Sequence, residues 1–411
     1  MDAANWDVAV IGAGAAGLMA AIHAAERGRR VLLLEKNRKP GVKILMSGGT
    51  RCNITHDCDN RGIVEAFGQN GKFLHSALAC FSVQQTIAFF EKLGVATKAE
   101  DTGKIFPVSD KALDVLNAIL SRLRLSGATL ALEEPVSNLR RLDSGTFEIA
   151  TKNRTLSVPK IILTSGGKSY PGCGTRGDGY AFVQRMGHSI TPLAPALVPI
   201  TLQVAWIADL RGVTLADVDI KVMEEGRVLL SRRGGFLFAH FGLTGPAPLD
   251  VSKAITRHPN PSSLELEIDF LPSMKESELD EFLRRESLAS GKKQLAGILA
   301  EHLPRRLADS LLSQIGQPAD RKAAALNKVD RLKLVAAVKR SRLPVKGTLG
   351  FEKAEVTTGG VSLDEVDSRA MESKLVPGLY FAGEILDLDG PIGGYNFQAA
   401  WSTGWLAGRS V

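Results

Sequence analysis

Between residues 41 and 55 the chain reads GVKILMSGGTRCNIT. Residue types that pair with phosphate (Lys43, Arg51), that let a backbone approach a ligand (Ser47, Gly48, Gly49) and that carry redox or hydrogen-bonding chemistry (Cys52, Asn53) stand side by side there. The stretch has too little apolar alternation for a buried strand and too much glycine for a stable helix, so it reads as a loop shaped around a ligand. Cys52 has no second cysteine two or three residues away to resolve it, which favours an inert thiol. Cys58, Cys80 and Cys173 show neither CxxC spacing nor histidines at zinc-site intervals, so no metal site and no disulfide framework is expected. A separate candidate is His240, which sits between aromatic residues beside a Gly-Pro turn in FLFAHFGLTGP. An imidazole there could give a proton to a substrate carbon or carbonyl, although a histidine satisfied by backbone and packing is the simpler reading. Tyr170 and Tyr395 are weaker acid candidates, and His23, inside an alanine-rich helical run, reads as packed.

The elements that must position such groups begin at the N-terminus. DVAVIG is a short β-branched run, GAGAAG follows at 12 to 17, LMAAIHAAERG is helical, and VLLLE closes the unit at Glu35. This is a βαβ unit with a dinucleotide fingerprint. Gly12 serves the tight turn, Gly14 the approach of a pyrophosphate and Gly17 the packing of helix on sheet, while Ala13, Ala15 and Ala16 keep the loop small beside the positive helix N-terminus. Glu35, followed by Lys36, stands where a carboxylate accepts from ribose hydroxyls, and an acid there favours FAD or NAD over NADP. GCGTRG at 172 to 177 fits the same pattern formally. No strand leads directly into it and no comparable helix and acid are expected after it, so it reads as a loop on the cofactor or substrate side.

The other end of the chain carries a matching set. Within VPGLYFAGEILDLDGPIGGYNFQAAWSTGWLAG, a strand-like LYFAG ending at Gly383 precedes Glu384 and Asp387, and Gly393 and Gly394 lead into a helix opened by Tyr395, Asn396 and Phe397. Asn396 stands where capping residues are preferred. A helix N-terminus with two glycines would aim positive charge at the pyrimidine end of a flavin, stabilising the anion formed when the ring takes up hydride. Either acid would suit a ribityl hydroxyl, and the choice between Glu384 and Asp387 stays open.

At 411 residues and 44% hydrophobic the chain exceeds what one core sustains, so two or three domains are expected. The formal charge is +7, but the basic residues alternate with acids as on a solvated face, which argues against a nucleic-acid surface. VKRSRLPVK at 338 to 346 could steer a phosphate-bearing cosubstrate. The apolar runs fall short of a membrane span, and Asp2 stands where a signal peptide would be basic, so a soluble cytoplasmic protein is expected. Helices are expected at 81 to 94, 109 to 127 and 274 to 340, the last opened by a capping box of Ser273 and Glu276; short strands are expected at 129 to 167 and at about 200 to 270.

The N-terminal unit, K-x-L-x-S-G-G-x-R-C-N from Lys43 to Asn53, ILTSGGKSYP with GTRGDGY behind it, FAHFGLTGP and GLYFAGEILDLDGPIGGYNFQAA together resemble the HI0933-like (YhiN/BaiN-type) FAD-dependent oxidoreductases, over nearly the whole chain. The resemblance implies an α/β protein with a glutathione-reductase-like FAD-binding Rossmann domain, 1–193 and 356–411. It also implies an insert of a small β-barrel, 194–271 and 341–355, and a helical subdomain, 272–340. It places Ser47, Gly48 and Gly49 on the pyrophosphate or ribityl chain, Arg51, Cys52 and Asn53 near the isoalloxazine or substrate, and Lys43 on a phosphate or a developing charge. Val136 falls at the adenine, and Thr164, Ser165 and Gly166 line the cofactor. The activity it implies is hydride transfer from NAD(P)H, bound transiently, through flavin N5 to an enone-like small molecule. Lys43, Arg51 and His240 are the catalytic candidates, and the insert defines the substrate pocket. Two alternatives stay open: an oxidase acting on an amine or alcohol, and a non-catalytic flavin-binding redox regulator. Oligomeric state is left open.

Overall fold

The computed structural model describes residues 6–411; Asp2 lies outside the described residues. They divide into two compact units, one of residues up to Ala194 with Val356–Val411, the other Pro195–Glu355.

In the first unit the fingerprint folds as its glycines and apolar runs predict, into β1 (Val8–Ile11), α1 (Ala15–Ala25) and β2 (Val31–Leu34). The two strands pair in parallel, Ile11 opposite Leu34. Lys160–Leu163 lies parallel on the other side of β1, with Leu163 opposite Ile11, and Leu379–Phe381 lies parallel beyond it, with Phe381 opposite Leu163. Thr129–Ala131 extends the sheet beyond β2, and two short antiparallel strands, Glu372–Ser373 and Val366–Asp367, complete seven strands. Side chains alternate across each strand. Val8, Val10, Leu33 and Ile162 therefore enter one core, shared with α1, the helix Ala112–Ser126 and the C-terminal helix Tyr395–Ser410. Ala9, Ile11, Leu32 and Ile161 enter a second, shared with the meander Val136–Arg141, Phe147–Thr151, Thr155–Val158 and the helix Asp178–Arg185. Burial on both faces is why these strands read as unbroken apolar runs.

That register brings the carboxyl ends of four strands to one edge. Gly12, Glu35, Thr164 and Gly383, far apart in the chain, follow those ends. The C-terminal helix closes against α1 at glycine range. A Cβ on Gly404 would meet Ala16 O at 2.4 Å, and one on Gly408 would meet Ala20 O at 2.4 Å, so glycines four apart seat on alanines four apart. Local signals hold well here. Ser82 and Gln85 form a reciprocal capping box before the helix Val83–Lys92, and Ala112–Ser126 ends on left-handed Gly127. Contrary to the sequence expectation, a helix does follow GCGTRG at Asp178, but it is entered from a 3-10 turn, Pro171–Cys173, so no second βαβ fingerprint forms.

The second unit is a closed antiparallel barrel in the order Ile200–Leu202, Gly242–Thr244, Arg227–Ala239, Thr214–Glu224, Glu265–Asp269, Ser341–Thr348. One apolar core runs from the barrel, through Val218, Phe238 and Leu266, into the helices through Leu283, Leu307 and Val335. Two expectations need correction. The run of strands between 200 and 270 is interrupted by a helix, Pro246–Thr256, with Pro246 in its first turn after Gly245 (φ 99°), and its Val251 and Ile255 fill the barrel core. The capping box lies later than Ser273 and Glu276: Glu278 accepts from Lys275 N at 2.7 Å, while Ser273 Oγ accepts from Arg233. Among the described residues no single helix is long and apolar enough to cross a membrane; a bent pair, Gly68–Cys80 with Val83–Lys92, meets that length only jointly.

Candidate functional site

At the sheet edge each fingerprint glycine has its own reason. Gly12 (φ 105°) would put a Cβ 2.6 Å from Thr164 O, and Gly17 would put one 1.8 Å from Gly12 O, so both are demanded by the fold itself. Gly14 has no heavy atom within 4 Å of where a Cβ would be. Open space therefore lies over the one fingerprint glycine assigned to ligand approach, and α1 starts there with no side chain capping its N–H groups. Ala13 N donates to Glu35 Oε2 at 2.8 Å and Asn37 N to Oε1 at 2.9 Å, which holds the buried Glu35 carboxylate beside the turn. The Thr164 hydroxyl lies 2.8 Å from Gly12 O, and Lys36 pairs with Asp178. Val136 begins the meander, partly buried.

The 41 to 55 stretch is not a loop throughout. It forms one helical turn from Val42 and breaks at Ser47 (ψ 151°), Gly48 (φ 56°) and Gly49 (φ 67°), where the glycines were read as incompatible with helix. Left-handed backbone continues at Thr50 (φ 71°) and Cys52 (φ 63°), a strain that collects at ligand clamps. A Cβ on Gly48 would strike Phe106 at 2.8 Å, whereas Gly49 faces open space. Cys52 is buried, and burial pushes its thiol up to about 12, so it stays protonated and unreactive. Arg51 is held by Glu100 at 2.6 Å and Asp110 at 3.5 Å, with its guanidinium 3.9 Å above the Phe106 ring.

The two acids left open by sequence have separate fates. Glu384 accepts from Lys43 Nζ at 2.6 Å, from Ser169 Oγ at 2.5 Å and from Thr357 N at 2.9 Å, so both of its oxygens are engaged. Asp387 Oδ1 is buried with no hydrogen-bond partner in the protein. Asn396 does not cap its helix as expected. Its Oδ1 accepts from Gly390 N at 2.8 Å and its Nδ2 donates to Gly390 O at 2.9 Å, closing the loop that carries Gly393 and Gly394.

The loop after Cys52 is laced to the C-terminal helix. Trp401 Nε1 donates to Ile54 O at 3.0 Å, Thr55 Oγ1 to Gln398 Oε1 at 2.6 Å, and Gln398 Nε2 to Thr86 Oγ1 and Ser402 Oγ at 2.9 Å each. Phe397 stacks on Trp401 with ring centroids 5.5 Å apart. Sequence reasoning missed His56, whose Nδ1 lies 3.0 Å from Gly393 O and whose ring stacks on Tyr395 at 4.4 Å. It missed Ser169, Thr357 and Gln398 as well; their partners are too distant in sequence for any local pattern to show them.

Among the described residues five buried side-chain atoms lack a hydrogen-bond partner, and three of them, Asn53 Oδ1, Ser165 Oγ and Asp387 Oδ1, belong to segments named from sequence as cofactor contacts. An unmatched buried polar atom costs about 1–3 kcal/mol unless a ligand satisfies it. FAD offers hydroxyl and imide N–H donors for two acceptors and a hydroxyl, and a diphosphate for the uncapped helix and the space over Gly14, so the residues present fit it. His240 lies in the second unit at the exposed turn after Arg227–Ala239, its ring edge-on to Phe241 at 5.1 Å. Among the described residues no group of three or more His, Cys, Asp or Glu side chains is placed to hold a metal ion.

Comparison with known proteins gives the family and the fold. The model of the HI0933-like protein Rossmann domain matches residues 6–410. The chain is 36% identical over 408 residues to a ribosomal RNA dihydrouridine synthase of Escherichia coli, covering 99% of this chain and 98% of that one. It is 33% identical over 411 residues to a 3-dehydro-bile acid delta(4,6)-reductase of Clostridium scindens, covering 98% of each. Among solved structures, the open conformation of a flavocytochrome c3 fumarate reductase superposes with a TM-score of 0.51 at 16% identity, over 99% of this chain and 78% of that one, and shares the fold.

Proposed function

The chain belongs to the HI0933-like family of FAD-dependent oxidoreductases, and from that premise we propose that it reduces a carbon–carbon double bond conjugated to a carbonyl, with a nicotinamide nucleotide as transient donor. Bound in the first unit, FAD supplies a two-electron carrier that accepts hydride from one substrate and releases it to another. The chain's own residues bind and orient it. Uncapped N–H groups of α1 and the space over Gly14 suit the diphosphate, Glu35 the adenosine ribose, Asp387 and Ser165 the ribityl chain, and Asn53 the ring. Glu384, saturated by Lys43, Ser169 and Thr357, holds the Lys43 loop in place beneath them.

The acceptor class rests on the relatives' names. A dihydrouridine synthase and a bile-acid delta(4,6)-reductase both act on C=C bonds in conjugation with a carbonyl, one in a uracil ring and one in a steroid. Four free cysteines suit a reducing compartment, and we place the protein in the cytoplasm. The observation that carries the reading is the set of three unmatched buried atoms contributed by three distant segments. Anaerobic reduction by NADPH or NADH, followed by reoxidation with a uridine-containing ribosomal RNA fragment, a bile-acid dienone, an amine-oxidised product control or oxygen, tests it. Rapid reoxidation by either conjugated acceptor supports the reading and tells the two apart. A flavin that neither nicotinamide reduces but an amine or alcohol does, and that oxygen then reoxidises with release of hydrogen peroxide, contradicts it.

A further inference from the structure

The peptide between Gly393 (φ 128°) and Gly394 (φ 99°) joins two residues with no side chain to prefer one orientation, so its direction must be set from outside. His56 sets it. A carbonyl oxygen only accepts, so the 3.0 Å contact between His56 Nδ1 and Gly393 O requires the ring hydrogen on Nδ1. The ring is kept from turning by Tyr395, stacked on it at 21°, and by the turn at Gly103, where a Cβ would lie 2.6 Å from His56 Nε2. In a planar trans peptide the N–H points opposite to the C=O. Holding Gly393 O toward His56 therefore turns Gly394 N–H the other way, at the N-terminus of the 16-residue helix Tyr395–Ser410. Beside it, 2.8 Å from where a Gly394 Cβ would be, lies the unmatched acceptor Asn53 Oδ1. An amide donor next to an amide acceptor matches an imide edge, which carries one N–H and adjacent carbonyl oxygens.

We propose that His56 is a positioning residue for the flavin ring: through Gly393 O it holds Gly394 N–H toward the ring's imide edge, beside Asn53, so that the helix N-terminus favours the reduced, more electron-rich ring. The inference rests on FAD occupying the first unit. Negative charge that grows on reduction is stabilised by a pre-aimed N–H and by the helix dipole, and a peptide free to turn loses that preference for the reduced form.

The test uses two polar replacements of similar size. The amide nitrogen of His56→Asn falls where Nδ1 was and keeps the bond to Gly393 O; that of His56→Gln falls where Nε2 was and does not. The readout is the midpoint potential of bound FAD, from dye equilibration, together with the affinities for oxidised and reduced FAD. His56→Gln is expected to lose about tenfold of the preference for reduced over oxidised FAD, about 30 mV for a two-electron couple, while His56→Asn stays within about threefold of the parent. A purely structural role would weaken both redox states together and leave the potential in place. An unmoved potential in His56→Gln, or equal shifts in both variants, overturns the inference. If His56→Gln fails to load, Tyr395→Leu, which frees the ring to turn, should move the potential in the same direction by less, and an unmoved potential there overturns it. An unaltered protein that takes up no FAD instead refutes the cofactor reading.

Discussion

Two buried polar clusters sit on the same sheet and differ in one respect. At the far edge, His188 is fully enclosed, with Nδ1 3.1 Å from Glu365 Oε2 and Nε2 2.8 Å from Ser373 Oγ. Ser373 Oγ also accepts from Leu375 N at 3.0 Å and Val376 N at 2.8 Å, and Glu365 from Ser189 N at 2.9 Å. By residue type it is a Ser-His-Glu array, yet both ring nitrogens of His188 and the Ser373 hydroxyl are spent on the chain, and no substrate reaches an imidazole with no exposed surface. Burial holds His188 below the ordinary histidine range despite the opposing pull of Glu365, so the ring stays neutral and bridges. In the segments that carry Asn53, Ser165 and Asp387, by contrast, each of these residues holds a buried polar atom with no partner in the protein. A satisfied polar cluster holds a fold together, whereas an unsatisfied one is waiting for something, and residue type alone does not separate the two.

The largest effect expected from challenging this contrast is at Gly17. Its Cβ would overlap Gly12 O, so Gly17→Val should cost about 3 kcal/mol or more and remove bound FAD a hundredfold or further, read from the flavin-to-protein absorbance ratio. His188→Ala takes one buried partner each from Glu365 and Ser373 and leaves a cavity between them. We expect a loss of about 3 kcal/mol in chemical denaturation, with FAD affinity of the folded fraction unchanged; a tenfold loss of affinity would erase the distinction between the clusters.

Asp387→Ala should behave in the opposite way. It removes a carboxylate oxygen that has no partner, so the apoprotein should lose no stability, while FAD affinity falls tenfold to a hundredfold by titration calorimetry. Glu384→Ala, which takes one acceptor each from Lys43, Ser169 and Thr357, should destabilise the apoprotein. An apoprotein indifferent to Glu384 and dependent on Asp387 would reverse the assignment of the two acids.

His23 sharpens the rule by exception. Its Nε2 is also unmatched, but it lies among the rings of Phe81, Phe89 and Trp405, outside the segments read as cofactor contacts. Burial, aided by Arg122 and Arg409, lowers its pKa to about 4. The folded value lies below the unfolded one, so its contribution is present above about 6.5 and drains away as the pH falls toward 4; between pH 7 and 5 the protein should lose about 2 kcal/mol from this group. His23→Phe should abolish that loss and leave FAD binding untouched. The smallest effect is chemical: Cys52 should resist alkylation at pH 8 in the native protein and react once it is unfolded, as seen by mass spectrometry.

What could be read in the sequence follows from how far each signal reaches. The fingerprint and the glycine stop at 127 depend on neighbours a few residues apart and appear in the structure where the sequence has them, whereas the equally local capping box expected at Ser273 and Glu276 forms two residues later and the one at Ser82 and Gln85 went unread. The helix Pro246–Thr256 also had a local signal, proline in the first turn after glycine, which the strand-rich surroundings hid. The helical turn at Val42 was obscured by the glycines that end it. Nothing local could decide between Glu384 and Asp387, because the partners that engage Glu384 include Lys43 and Ser169, which come from other turns of the chain. His56 was invisible for the same reason, its partner Gly393 being 337 residues away.

The central claim is that the leftover atoms of the first unit are contacts for FAD. Calorimetric titration of the apoprotein with FAD, run in parallel on Asp387→Ala, tests it most directly. We predict one FAD per chain for both proteins, with at least tenfold weaker binding by the variant and equal melting temperatures for the two apoproteins. A parent protein that stays colourless and releases no heat with excess FAD, or a variant that binds it as tightly as the parent, would contradict the account.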